Sequence, residues 1–254
     1  MPAIFQHRLM LLFLLVSGTA VKSQIPSVFK YEEPRSLTAT IYSLDRKTVL
    51  FKFSRRSTRS DNRLEVIREY TYSDGKLAVR ERVFYSGDEL QSCELDELQT
   101  GHKSRANVAT DPENPARKVV LFESSKGPGS LKRRSEPLRK DTLNDDMVGQ
   151  FLADHWGALK KGEEVKFRMI VASRAETIGF RLVKESETQR QGKPVVIVRM
   201  EPTSPVIRAL IDPLHFKVEK DSPHHVLEYS GRTTPKLKSG NKWEDLDAMT
   251  VFDW

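Results

Sequence analysis

From residue 36 onward the chain alternates. Val49, Phe51 and Phe53 point one way while Leu50 and Lys52 point the other, the period-two pattern of a half-buried strand. Leu64, Val66, Tyr70 and Tyr72 share a face, with Arg68 standing among them. The turn Ser73-Asp74-Gly75-Lys76 supplies residues that tolerate positive φ, and Leu77, Val79, Val83 and Tyr85 then resume the alternation. Two alternating runs around an Asp-Gly turn predict a hairpin. A second turn at Ser86-Gly87-Asp88 leads into residues 89–99, with further short strands at 103–109 and 117–123. This much reads as a meander.

Residues 124–130 read as a loop, and a basic segment fills 131–140. The period then changes. Thr142 with Asp145 predicts a capping box, acids at 145 and 146 suit a helix N-terminus, and Met147, Val148, Phe151, Leu152 and Trp156 fall on one side at helical spacing. Strands return at Val165–Val171 and around Ile178, Phe180 and Leu182. Residues 195–200 are apolar on both faces, which places them centrally in a sheet. Ser204-Pro205 predicts a short helix over 204–211 carrying Val206, Ile207, Leu210 and Ile211. Strands near 214–219 and 225–230, a polar loop through 231–245 and a final strand at 248–253 complete the pattern.

The fold class implied is mainly β: an open antiparallel half-barrel or curved sheet with two short helices packed on its concave face. A long sheet must cover its apolar face by closing, by pairing with another sheet or by accepting helices. Helices that fill the space imperfectly leave an apolar cavity where a ligand binds; helices that fill it leave a solid core. The pattern admits both. Residues 24–254 are read as a single β-rich unit with a possible sub-boundary near 124–141.

The N-terminus changes the setting. His7 and Arg8 precede an apolar run from Leu9 to Val16, followed by Ser17, Gly18, Thr19 and Ala20. That order is the signature of a secretory signal peptide, residues 1–23 in the longer of two readings, with cleavage after Ala20 or Ser23. The run is too short to span a bilayer, which takes about 20 residues. No cysteine sits near it to take a lipid, so the expectation is a periplasmic or secreted protein, not lipid-anchored. Cys93 is the only cysteine, so no internal disulfide forms. The net charge of +7 falls to +5 without residues 1–23. Arg46–Arg63 holds seven basic residues against Asp61, and Lys126–Lys140 holds six against Glu136, so the basicity is local. Localised positive charge suits an anionic membrane surface or envelope polymer, and export argues against nucleic acid. Charges that keep loops and edge strands solvated give the same pattern.

Candidate chemistry is sparse. The six histidines include no zinc spacing, and adjacent His224 and His225 point to opposite faces if they lie on a strand. No Gly-x-Ser-x-Gly elbow occurs, although a triad assembled from distant residues escapes any motif. Cys93 lies among Glu94, Asp96 and Glu97, which suppress a thiolate, and reads as a core residue. No catalytic residue, metal site or cofactor is assigned.

The later half resembles the periplasmic carriers of the LolA/LolB lipoprotein-sorting superfamily. The resemblance rests on the Val-rich strand Val195–Met200, the helix between Pro205 and Pro213, the strand ending Leu227-Glu228-Tyr229-Ser230-Gly231 and the closing strand Ala248–Trp254. It implies an incomplete barrel with helices as a lid over a cavity for acyl chains. The expected function is thus non-catalytic binding of an apolar or amphiphilic envelope ligand, a lipid or acylated protein. The alternatives are an envelope structural or adaptor protein working through its basic surface, and a secreted hydrolase. Phe151, Trp156, Ile207 and Leu210 are expected to line the cavity, with Arg55, Arg56, Arg59, Lys132, Arg133 and Arg134 facing an anionic surface.

Overall fold

The computed structural model describes residues 36–87, 89–127 and 129–254; the proposed signal peptide lies outside the described residues. The strands are β1 (Ser36–Tyr42), β2 (Val49–Ser60), β3 (Arg63–Thr71), β4 (Leu77–Ser86), β5 (Glu89–Glu97), β6 (His102–Thr110), β7 (Lys118–Ser125) and β8 (Lys132–Pro137). After the two-residue β9 (Thr142–Leu143) come the helices α1 (Val148–Asp154) and α2 (Trp156–Lys160), then β10 (Val165–Val171), β11 (Glu176–Arg190) and β12 (Lys193–Pro202). The short α3 (Pro205–Arg208) precedes β13 (Leu214–Glu219), β14 (Val226–Ser239) and β15 (Lys242–Asp253).

All fifteen strands join one curved, open sheet in the order β8-β7-β6-β5-β4-β3-β2-β1-β15-β14-β13-β12-β11-β10-β9. Two antiparallel meanders meet where β1 pairs with β15, so the two halves of the chain share one sheet. Among the described residues only β9 pairs in parallel, with β10. The β8 edge comes close to the other end of the sheet: Glu136 of β8 accepts from the backbone N–H of Thr177 on β11 at 2.9 Å and from its hydroxyl at 2.7 Å.

The expected hairpin at 63–86 forms around Gly75, whose φ of 83° suits the turn. Its pairing of Arg68 with Glu81 and of Val66 with Val83 sets one face inward. Other expectations need correction. The basic run at 131–140 holds the edge strand β8, hydrogen-bonded to β7. The polar loop expected at 231–245 is instead the far end of the β14–β15 hairpin. Thr142 does not cap a helix; it pairs with Arg168 on β10. Asn144 is the cap, its side chain accepting from the Met147 N–H at 3.1 Å, which opens a 3-10 turn at Asp145–Met147 running into α1.

The main core lies on the concave side. Leu64, Val83, Tyr85, Phe122, Phe167, Phe180, Val198 and Phe216 from the wall surround Met147, Phe151, Leu152 and Leu159 from the helices. A second cluster, with Phe51, Phe53, Tyr70 and Ala248, sits where the meanders meet.

Candidate functional site

The segment 145–160 fills the concave face and is held there by two kinds of contact. Its underside is apolar. Phe151 is fully buried, stacks obliquely on Phe167 at 5.3 Å, and Phe167 in turn stacks on Phe180 at 5.9 Å. Trp156 is 8% exposed and stacks on His224 at 4.4 Å. Beside Trp156 and Leu159 the free space is about 10 Å³, room for one water at most. Phe151 and Trp156, expected to line an acyl-sized cavity, are themselves buried, and the space beside Trp156 holds no more than one water.

The N-terminal turn of the segment is fastened by charge. Arg55 of β2 grips Asp146 in two bonds, Nε to Oδ1 at 2.7 Å and Nη2 to Oδ2 at 3.2 Å, and the Tyr85 hydroxyl donates to Oδ2 at 3.1 Å. Only 7% of the Arg55 side chain and 2% of Asp146 remain exposed. Arg68 of β3 reaches Asp145 and also lies 2.8 Å from Glu81 on β4, while Thr234 donates to Glu81 at 3.0 Å. Burial works against the charge on Arg68, but Asp145 and Glu81 outweigh it and raise its pKa well above the ordinary range. Burial pushes Glu81 up to about 7 despite Arg68 beside it.

These anchors were partly visible in sequence. Arg68 is a lone charge on the face shared by Leu64, Val66 and Tyr70, and a charge on an apolar face demands a buried partner. The sequence pattern gives Asp145 a place in a capping box and Asp145 and Asp146 a place at a helix N-terminus; their partners lie 77 and 91 positions away, a separation no local pattern reports.

The remaining expected site residues scatter. Ile207 packs against the main core, but Leu210 is 78% exposed and Val206 72% exposed, because α3 is a single turn standing on the rim. Leu210 is corrected from lining to surface. Arg55 is corrected from surface to interior. Arg56, exposed, pairs with Glu69 at 3.1 Å, and Arg59 is exposed at the far end of β2. Lys132, Arg133 and Arg134 are exposed on edge strand β8, with Arg133 on Glu123 at 2.9 Å and Arg134 on Glu136 at 2.8 Å. Basic side chains thus lie on β2 and β8, six places apart in the sheet, while Arg55 faces the interior. Half-buried Cys93 packs against the core, and burial pushes its thiol up. His225 pairs with Glu219 at 3.0 Å. Among the described residues no group of three or more His, Cys, Asp or Glu is placed to hold a metal ion, and no helix is long and apolar enough to cross a membrane.

No family model and no curated protein matches the chain. Among solved structures it is similar to a β-barrel-like protein of the domain-of-unknown-function family DUF1849 from Brucella abortus, at 7% identity over 87% of this chain and 96% of that one, with a TM-score of 0.37. It is also similar to a DUF1329 family protein from Desulfovibrio piger, at 12% identity over 86% and 82%, with a TM-score of 0.26. Likeness at these scores carries no functional argument.

Proposed function

We propose that the protein binds an anionic amphiphile, a lipid or the acyl chain of a modified protein, by letting the 145–160 segment swing aside as a lid. The observation that carries this reading is the division of labour in the lid's anchorage: apolar side chains beneath, and at one end two ion pairs, Arg55–Asp146 buried and Arg68–Asp145 open to solvent on its Asp145 side. Lifting the segment uncovers an apolar wall formed by Phe167, Phe180, Leu182 and Val198, with the guanidinium groups of Arg55 and Arg68 released from Asp146 and Asp145 near its rim. An acyl chain complements the first and a carboxylate or phosphate complements the second. Each methylene buried contributes about 0.8 kcal/mol, against which stands the loss of the lid's own apolar contacts. Affinity is the difference, so a filled resting state and reversible binding belong together. Export to the periplasm or cell exterior accords with such a ligand and remains part of the proposal.

The test is titration of the purified protein, lacking residues 1–23, with a fluorescent fatty acid, alongside mass spectrometry of lipid retained through purification. The reading expects saturable binding, tightened by Asp145→Asn with Asp146→Asn, which loosen the lid and free both arginines. No retained lipid together with no fluorescent binding by either form contradicts it. An acylated peptide that binds where the free fatty acid does not assigns the ligand to a modified protein.

A further inference from the structure

Antiparallel pairing sends successive connections to opposite ends of the sheet. The β1–β2, β3–β4, β5–β6 and β7–β8 turns leave at one end. Because β15 runs antiparallel to β1, the β10–β11, β12–β13 and β14–β15 connections leave at that same end. Most of the large apolar side chains that the fold leaves in water belong to it. Leu44, Leu98 and Leu131 stand in its turns, Leu237 near the tip of the β14–β15 hairpin, and Val206 and Leu210 on the connection that holds α3. At the opposite end only Trp254 is comparable among the described residues, and it is tied down: its Nε1–H donates to the Val226 carbonyl at 2.7 Å and its ring stacks on His225 at 3.9 Å. Single exposed leucines need no explanation, but their segregation to one end does.

The fold holds these groups outward. Ile207 packs against the main core, so Pro205, Val206, Ala209 and Leu210 around it face water. The Thr203 N–H donates to the Gly179 carbonyl at 2.9 Å, which fastens the start of this connection to β11. The hairpin arm is fastened by Gln99 of the β5–β6 turn, whose amide donates to the Lys236 carbonyl at 2.9 Å and to the Tyr72 hydroxyl at 2.7 Å and accepts from the Lys236 N–H at 2.9 Å. Beyond that clasp Lys238 Nζ lies 5.9 Å over the Trp243 ring. An indole beside an ammonium suits the headgroup layer of a bilayer, where one end of each group is wet and the other apolar.

Charge divides the same way. The connections at this end carry Arg46, Lys47, Lys76, Lys126, Arg174 and Arg208 against Asp45, Asp74 and Asp212, whereas those at the opposite end carry more acids than bases. Arg46, Lys47, Arg174 and Arg208 each lie on a carboxylate yet keep between 39% and 82% of the side chain exposed. Exposed pairs of this kind are weak, so a lipid phosphate replaces the carboxylate at little cost.

We propose that this end of the sheet docks on a bilayer surface rich in anionic lipid, with Val206 and Leu210 entering the boundary between headgroups and acyl chains and the basic turns lying on phosphates. Buried apolar area and attraction to anionic headgroups act together in such binding. The proposal goes beyond the amphiphile reading and does not depend on it, since no movement of 145–160 is involved.

The test is cosedimentation of the full chain with vesicles of phosphatidylethanolamine and phosphatidylglycerol in equal parts, beside vesicles of phosphatidylcholine alone. All variants share one N-terminus, so the apolar run at 9–16 contributes equally to each. Val206→Ser with Leu210→Ser is expected to weaken binding to the anionic vesicles about tenfold or more. Lys76→Glu with Lys126→Glu is expected to weaken it too, by a factor that shrinks as salt is raised. Arg117→Ser, exposed at the opposite end, leaves it unchanged. Anionic-vesicle binding unaltered in Val206→Ser with Leu210→Ser overturns the proposal, as does equally tight binding of the wild type to phosphatidylcholine. Both substituted side chains are exposed, so the variant keeps its fold, which its urea midpoint checks. Fluorescent fatty-acid binding, read on the same variant, stays intact and separates failure at this surface from failure of the amphiphile reading.

Discussion

The two ends of the 145–160 segment are held by different physics. The α1–α2 end sinks Phe151, Leu152 and Leu159 into the wall of the later meander, against β10, β11 and their neighbours. The 3-10 turn at the other end is tied by Asp145 and Asp146 to Arg68 and Arg55 of the earlier meander. Apolar burial is indifferent to direction and grows with area, while a buried ion pair is worth keeping only in one geometry. The first contact gives the segment a resting place, and the second decides when it leaves.

Mutations that break each end separate these roles, and they carry the largest expected effects. Phe151→Ala removes a fully buried ring and is expected to cost about 3–5 kcal/mol in urea unfolding. Asp146→Ala strands Arg55 in the interior and is expected to cost about 3–5 kcal/mol as well. The two diverge on repair. Replacing the pair together, Arg55→Met with Asp146→Leu, recovers most of the stability while removing the guanidinium, so fatty-acid binding weakens although the fold is restored. If the double variant binds as tightly as wild type, Arg55 takes no part in the ligand site.

pH sharpens the same contrast. Glu81 has its pKa raised by burial, to about 7, above its unfolded value, so between that unfolded value and 7 the folded state holds more protons than the unfolded one. Its contribution to stability is therefore lost as pH rises through that window, the charge on Glu81 also repelling Asp145 at the latch. On the outer face the sign reverses. Burial raises Glu228, but Lys217 and Arg190 outweigh it and hold the carboxyl below its usual range; burial is likewise overcome at Glu201 by Arg181 and Arg199. Those contributions are lost as pH falls below the unfolded carboxylate pKa. Thermal melts across pH 4–9 are expected to decline toward the alkaline side in wild type and to lose that decline in Glu81→Gln. An unchanged decline in Glu81→Gln assigns it to another group.

Smaller effects follow at the segment's margins. Asn144→Ala removes the cap on the 3-10 turn and is expected to cost about 1 kcal/mol, read as a shifted denaturation midpoint. Leu210→Ser on the exposed α3 turn is expected to change stability by no more than about 0.5 kcal/mol and to leave ligand binding intact. A large loss of binding there would return α3 to the site.

What the sequence disclosed follows from which faces are wet. The hairpin at 63–86 and the central strand at 195–200 were legible because burial on one face or both writes a pattern into the side chains. Strand β8 is exposed on five of its six residues and therefore reads as a basic run rather than as a strand. The outer reach of the β14–β15 hairpin, with Leu237, Lys238, Lys242 and Glu244, is exposed and reads as a loop for the same reason. Phe151 and Trp156 were recognisable as inward-facing, but not that they fill the space they face. Volume is a property of the whole wall, contributed by strands far apart in sequence. The latch was half legible: Arg68 declared itself as misplaced among apolar neighbours, while the partner's identity required the fold. The hydrogen bonds that join Glu97, His102 and Ser124 left no local trace, since these residues sit 5 and 22 positions apart and are brought together only by strand register.

The most direct test of the lid is hydrogen exchange, followed by mass spectrometry on peptides covering 145–160 and, for comparison, β11 and β12. The account predicts that the amides of α1 and α2 exchange through a partial opening well before those two strands, and faster still when a fatty acid is bound. If 145–160 exchanges only together with β11 and β12, and a fatty acid leaves its rate unchanged, the segment is a fixed part of the core and the lid does not exist.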